Sequence, residues 1–184
     1  SGSLLVKFTV GPGYLWGSGD PNTGMQSAAG GFGVTMGAFV AHGLALHGDF
    51  TWVNGFDPDF WMEGTVDHET NLVFQTSSFR VGATYYSAPM RVYGTLGIGV
   101  GAALATTFYY LDSGAVTAST SEYTKVGPTF QIQVGKEWEV SRYWALGVAV
   151  DYQYLHINLA DDARVGIDDA QQLGLRFVGT FAGH

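Results

Sequence analysis

The chain has 184 residues, 46% of them hydrophobic, which is enough for one folded unit spanning residues 1–184 and too apolar for a disordered chain. A net charge of −8 without any basic stripe excludes a nucleic-acid partner, and the absence of cysteine excludes disulfide staples, thiol nucleophiles and thiolate-bound metals. Charged residues make up 13% of the chain, against about 25% in a soluble domain, and only three are lysines, so there is little from which to build a water-facing surface.

Eight segments alternate apolar and small or polar residues with a period of two, the signature of strands with two unlike faces. The first, LLVKFTVGPGYLW, sets Leu4, Val6, Phe8, Val10, Tyr14 and Trp16 against Lys7, Thr9, Gly11 and Gly13. AAGGFGVTMGAFV sets Phe32, Val34 and Met36 against Gly31, Gly33 and Thr35, and LALHGDFTW sets Leu46, Phe50 and Trp52 against His47, Asp49 and Thr51. QTSSFRVGATYY opposes Phe79, Val81 and Tyr85 to Ser78, Arg80 and Thr84. In the fifth segment, which opens RVYGTLGIGVG, Val92, Leu96, Ile98 and Val100 face away from Tyr93, Thr95, Gly97 and Gly99. KVGPTFQIQVGKEWEV, WALGVAVDYQYL and QQLGLRFVGTF complete the series, and none of the eight carries a helical period.

The connections alternate too. AHG, SAPM and SRY are short, whereas GSGDPNTGMQ, NGFDPDFWMEGTVDHETN, LDSGAVTASTSE and NLADDARVGIDDA are long. That rhythm predicts an all-β, eight-stranded, antiparallel up-and-down barrel with both termini at the short-turn end. Eight strands enclose an interior just wide enough for side chains. Putting eight aliphatic faces inside would overfill it and leave glycines facing water. The opposite assignment, aliphatic faces to lipid and Gly/Thr/Gln/charged faces inward, predicts a transmembrane barrel in which closure satisfies every backbone group. Aromatic residues near both ends of the strands supply two candidate girdles. A soluble barrel with an apolar cavity is the structural alternative.

On these eight segments, their glycine-rich inward faces and the tract VAVDYQYLHI, the chain resembles the small eight-stranded outer-membrane barrels of Gram-negative bacteria, the group of OmpX, the OmpA membrane domain and the opacity-type proteins. The resemblance covers nearly the whole chain and is architectural. It implies an outer-membrane location, periplasmic short turns, four long extracellular loops, and outer-membrane lipid and lipopolysaccharide as surroundings. Family members end on an aromatic residue, whereas here Ala182, Gly183 and His184 follow Phe181.

The expected lumen polar network is Lys7, His47, Asp49, Arg80, Arg91, Lys125, Glu137, Asp151 and Arg176, because unpaired charges could not be buried there. Counting from the short turns predicts pairs Asp49–Arg80 and Asp151–Arg176, with Glu137 near Arg91. Such a network reads as a plug filling the lumen, or as the constriction of a narrow channel for ions or small solutes. In the long connections, Phe56, Phe60, Trp61 and Met62 are candidates for contact with a surface partner. Asp57, Asp59, Glu63, Asp161 and Asp162 are candidate hard-oxygen ligands for calcium or magnesium, although no EF-hand spacing is present and a solvated acidic loop is the simpler reading. His156 could serve an outer-leaflet lipid-modifying enzyme, but no H-E-x-x-H, G-x-S-x-G or nearby nucleophile supports it. GIGVGA leads into more strand, not a helix, so it is no dinucleotide fingerprint. The sequence therefore predicts a non-enzymatic, cofactor-free, monomeric barrel that presents its loops on a rigid scaffold.

Overall fold

The computed structural model describes residues 3–19, 23–62, 65–67, 72–87, 90–110, 116–123, 125–157 and 167–183. Its strands are β1 (Leu4–Ser18), β2 (Gly24–Ala41), β3 (Leu44–Met62), β4 (Thr65–Asp67), β5 (Leu72–Ser87), β6 (Val92–Tyr110), β7 (Val116–Tyr123), β8 (Gly127–Glu139), β9 (Trp144–His156) and β10 (Asp169–Gly183). All pairings are antiparallel. Eight strands run β1–β2–β3–β5–β6–β8–β9–β10, and β10 returns to β1 with Leu4 opposite Gly183 and Ser18 opposite Asp169, which closes the barrel. The short strands β4 and β7 extend the wall as partners of the upper parts of β3 and β6.

Strands rise further than the sequence pattern predicts. The tract NGFDPDFWM, read as loop, is the upper half of β3, with Gly24, Met25 and Gln26 of β2 opposite Trp61, Phe60 and Asp59. A bulge absorbs the turn-like residues that mask this strand: the register shifts between Gln26 and Ala28, and Asp57 takes a left-handed backbone (φ 45°) beside the buried Pro58. Aspartate tolerates that conformation better than most residues. β6 likewise runs on to Tyr110 through residues whose alternation has faded.

The two faces separate as the glycine pattern requires. Phe79, Val81, Leu96 and Ile98 point outward, each more than 60% exposed, while Lys7, Asp49, Arg80, Asp151 and Arg176 point inward and are buried. An outer surface of bare aliphatic side chains with almost no charge is suited to hydrocarbon, not to water. The inner face is not polar throughout, however. Towards the long-connection end, Leu15, Met25, Val53, Phe74, Leu155, Ile157 and Ile167 form one buried cluster, and towards the short-turn end Tyr93, Ala149 and Val178 form another against Tyr86. On β9, Gln153 and Asp151 lie between Leu155 of the first cluster and Ala149 of the second, whereas Glu137, paired in register with the same Gly147 as Val178, and Lys7, over the Tyr93 ring, lie beside the second cluster itself.

Val81→Lys, in the middle of the outer band, is expected to lower stability in lipid vesicles by about 2–4 kcal/mol. Lysine at Val140, exposed beside a short turn, is expected to cost at most about 1 kcal/mol by the depth dependence of such substitutions. Urea unfolding followed by tryptophan fluorescence measures both, and equal costs would contradict the outward assignment of β5.

Candidate functional site in the barrel lumen

Five side chains from four strands form one chain of hydrogen bonds across the interior. Arg80 of β5 donates from Nε (2.9 Å) and Nη2 (2.6 Å) to Asp49 Oδ1 of β3, directly opposite it in register. Its Nη2 also reaches Thr51 Oγ1 at 2.8 Å, and its Nη1 donates to Gln153 Oε1 of β9 at 3.0 Å. Gln153 Nε2 then donates to Asp151 Oδ2 at 2.6 Å, and Asp151 Oδ1 accepts from Arg176 Nε of β10 at 2.7 Å. Arg176 Nη1 ends the chain on the Gly11 carbonyl of β1 at 2.8 Å. Asp49, Arg80, Asp151, Gln153 and Arg176 are all buried. Gln153 links the two ion pairs and was not among the residues expected to carry the network; only its inward place in VAVDYQYLHI marked it.

Lys7 and Glu137 make a third pair at 3.5 Å. Thr180 Oγ1 donates to Glu137 Oε1 at 2.9 Å, and the Lys7 ammonium lies 3.5 Å from the centre of the Tyr93 ring, a cation–π contact in a desolvated setting. His47 stands on the same side of the lumen, with Nε2 3.0 Å from Thr84 Oγ1 and Nδ1 4.0 Å from Asp49 Oδ2.

Two expected members lie elsewhere. Arg91 does lie beside Glu137, since its carbonyl accepts from the Glu137 N–H at 3.0 Å, but its side chain does not pair with that carboxylate. It sits in the short turn before β6 with a left-handed backbone (φ 52°), which breaks the strand alternation and sends its half-exposed guanidinium to Glu139, 3.4 Å away. Lys125 is exposed, because it precedes β8 at the break between β7 and β8, where the alternation lapses.

Inward glycines make this packing possible. A Cβ on Gly174 would lie 2.6 Å from Asp151 Oδ1, and one on Gly135 would lie 2.5 Å from Tyr93 Cζ. Two gaps bounded by described residues lie inside. The gap bounded by Lys7, His47, Asp49, Thr84, Thr95 and Gln133 and the one beneath Leu15 and Leu155 are each about 10 Å³. That is about the room one water centre needs. Lys7 Nζ, His47 Nδ1 and Asp49 Oδ2 line the first gap without a hydrogen-bond partner among the described residues.

At the long-connection rim, His156 Nδ1 is 2.9 Å from Asp169 Oδ1, which also accepts from the Tyr154 hydroxyl. Ser18, Asp169 and His156 stand opposite one another on β1, β10 and β9, so the acid lies between the hydroxyl and the imidazole. A nucleophilic triad needs the imidazole in the middle. Phe56 and Asp57 are exposed at the upper part of β3, and Asp59 lies two residues further along it. Phe60, Trp61 and Met62 end β3, with their side chains outside the described part; Glu63, Asp161 and Asp162 lie outside the described residues. Among the described residues no three acidic or histidine side chains converge as metal ligands.

No protein-family model and no curated protein sequence matches the chain. Solved structures do. Neisserial surface protein A (NspA) superposes with a TM-score of 0.60 at 13% identity, over 97% of this chain and 96% of that one. The fold is that of a small outer-membrane β-barrel. The barrel is also similar to Ail, the attachment invasion locus protein of Yersinia pestis, with a TM-score of 0.54 at 11% identity over 97% of each chain, and to Ail in complex with the heparin analogue sucrose octasulfate, with the same score over 98% of each. At such identities the likeness carries the barrel's architecture and not its ligands.

Removing one partner of a buried pair leaves the other charge unanswered, so Arg176→Met is expected to destabilise the barrel by about 3–5 kcal/mol. Arg91→Met, at the exposed pair, is expected to cost no more than about 1 kcal/mol. Gly135→Ala is expected to cost about 1–3 kcal/mol through overpacking against Tyr93. Urea titration in vesicles checks all three, and a silent Arg176→Met would break the link between the network and stability.

Proposed function

We propose that this protein is a non-enzymatic, monomeric barrel of the bacterial outer membrane, closed along its axis by its own side chains, which holds its long connections at the cell surface as a rigid scaffold. The carrying observation is the packed interior: buried apolar clusters and three ion pairs share it, and the two inner gaps bounded by described residues are each about 10 Å³. A hydrated ion needs a continuous aqueous path, and burying it among these layers would cost several kcal/mol. The outer end supports presentation, since Phe56, in the upper part of β3, is an exposed aromatic on a paired strand rather than on a free loop.

The comparison with Ail bears on the kind of surface partner. A polysulfated ligand needs cations, yet three of the eight lysines and arginines here, Lys7, Arg80 and Arg176, are buried in the lumen, and acids outnumber the basic residues 16 to eight. The partner we propose for the long-connection end is therefore neutral or cationic, met through exposed aromatic and acidic side chains such as Phe56 and Asp57.

A second reading, a narrow channel, draws on Lys7 Nζ, His47 Nδ1 and Asp49 Oδ2, which have no hydrogen-bond partner among the described residues around one gap that water could wet. Planar-bilayer recording separates the two. The closed barrel gives no steady openings; regular openings whose size or selectivity changes with Asp49→Asn would replace the scaffold reading with the channel. Incubation with lipid A and phospholipids, followed by mass spectrometry, is expected to return both unchanged.

A further inference from the structure

Charge is distributed very unevenly along the barrel axis. Inside, Lys7, Arg80 and Arg176 balance Asp49, Glu137 and Asp151. At the short-turn end, Arg91, Lys136 and Arg142 face one acid, Glu139, whereas the remaining two cations and twelve acids belong by sequence to the opposite ends of the strands and their connections. A chain with a net charge of −8 thus has one basic end.

The cations at that end are placed for a membrane surface. Lys136 follows Ile132 and Val134 on the outward face of β8, all three exposed, and precedes the outward Trp138; its ammonium is 5.7 Å from the Trp138 ring centre. Its aliphatic stem therefore runs along the apolar band with the charge at the band's edge, the geometry of a snorkelling lysine. Arg142 occupies the exposed turn between β8 and β9, with its guanidinium 5.5 Å from the Tyr143 ring centre, and Trp144 opens β9 beside it. Arg91 is held by Glu139, but among the described residues neither Lys136 nor Arg142 has an acid within ion-pair distance. The two free cations and their aromatic neighbours make an arc at the foot of β8 and β9.

We propose that this arc binds anionic phospholipids, its cations taking the phosphodiester headgroup while Trp138, Tyr143 and Trp144 sit at the headgroup–acyl boundary. The occupant follows from charge and position. Lys136 faces outward from the edge of the lipid-facing band, where a phosphate is the nearest abundant anion. A zwitterionic headgroup would bring its own cation to the site, whereas an anionic one leaves its phosphate charge for Lys136 and Arg142. This inference needs only the membrane barrel, and not the closed lumen or the surface role proposed above.

The test uses nanodiscs of phosphatidylcholine that contain an equal small fraction of chain-brominated phosphatidylglycerol or chain-brominated phosphatidylcholine, with quenching of tryptophan fluorescence as the readout. The brominated anionic lipid is expected to quench more strongly, with an enrichment of order fivefold per free cation at low salt, and the excess is expected to shrink as salt rises. R142Q is expected to lose part of the excess and K136Q/R142Q nearly all of it. W138F/W144F should remove the excess while leaving the quenching common to both lipids. Heat-modifiable migration of each sample on electrophoresis verifies that the barrel is folded, so a lost preference in a folded variant counts for the proposal. Equal quenching by the two lipids in the wild-type barrel, or a preference left undiminished by K136Q/R142Q or by high salt, would overturn it.

Discussion

Closing eight strands leaves an interior only about as wide as the side chains that fill it, and any charge inside must be answered within that width. Much else in this barrel follows from that limit. Among the described residues three cations and three acids share the lumen, each within ion-pair distance of a partner. Gln153 spans the distance between two of the pairs with one amide, accepting from Arg80 and donating to Asp151, so its two ends have fixed and opposite roles. Neither a glutamate, which would add a charge, nor a methionine, which could not donate, would serve both neighbours.

The same limit explains why the inner face is rich in glycine. Rings and guanidinium groups need depth, and in so narrow a tube they find it only where the opposite strand carries no Cβ. Tyr93 occupies the space at Gly135, and the Asp151–Arg176 pair occupies the space at Gly174. The aliphatic residues that would fill a soluble core are displaced to the outside, where hydrocarbon accepts them. Among the described residues they return to the interior in two clusters, Leu15, Val53, Phe74 and Leu155 in one and Val178 and Ala149 in the other, and at single positions such as Leu5, where no hydrogen-bonding partner is needed.

Period-two alternation was sufficient to read the barrel, its faces and its connectivity from the sequence, because each slip by one residue would exchange lipid for lumen along a whole strand. Counting along strands from the short turns was also enough to bring Asp49 beside Arg80 and Asp151 beside Arg176, since register is tight near a turn. The reading lost accuracy where alternation stops. Arg91 leaves its strand through a left-handed backbone, and Lys125 stands at a break, so both were assigned to an interior that they do not enter. The upper half of β3 was hidden by Asp57 and Pro58, which look like a turn and act as a bulge. The apolar layer under the long-connection end was missed for another reason: Leu15, Val53 and Phe74 are spread over three strands, and no single segment shows them as a group.

Arg176 has one more consequence. Its guanidinium holds Asp151 on one side and the Gly11 carbonyl on the other, so it ties the last strand to both the strand before it and the first strand of the chain. Until β10 arrives, Asp151 faces a low-dielectric interior without its cation and the first strand presents an open edge. Pairing β10 with β9 gives Asp151 its cation, and pairing β10 with β1 removes the open edge and gives the same guanidinium the Gly11 carbonyl, so one side chain of the last strand serves both of its seams.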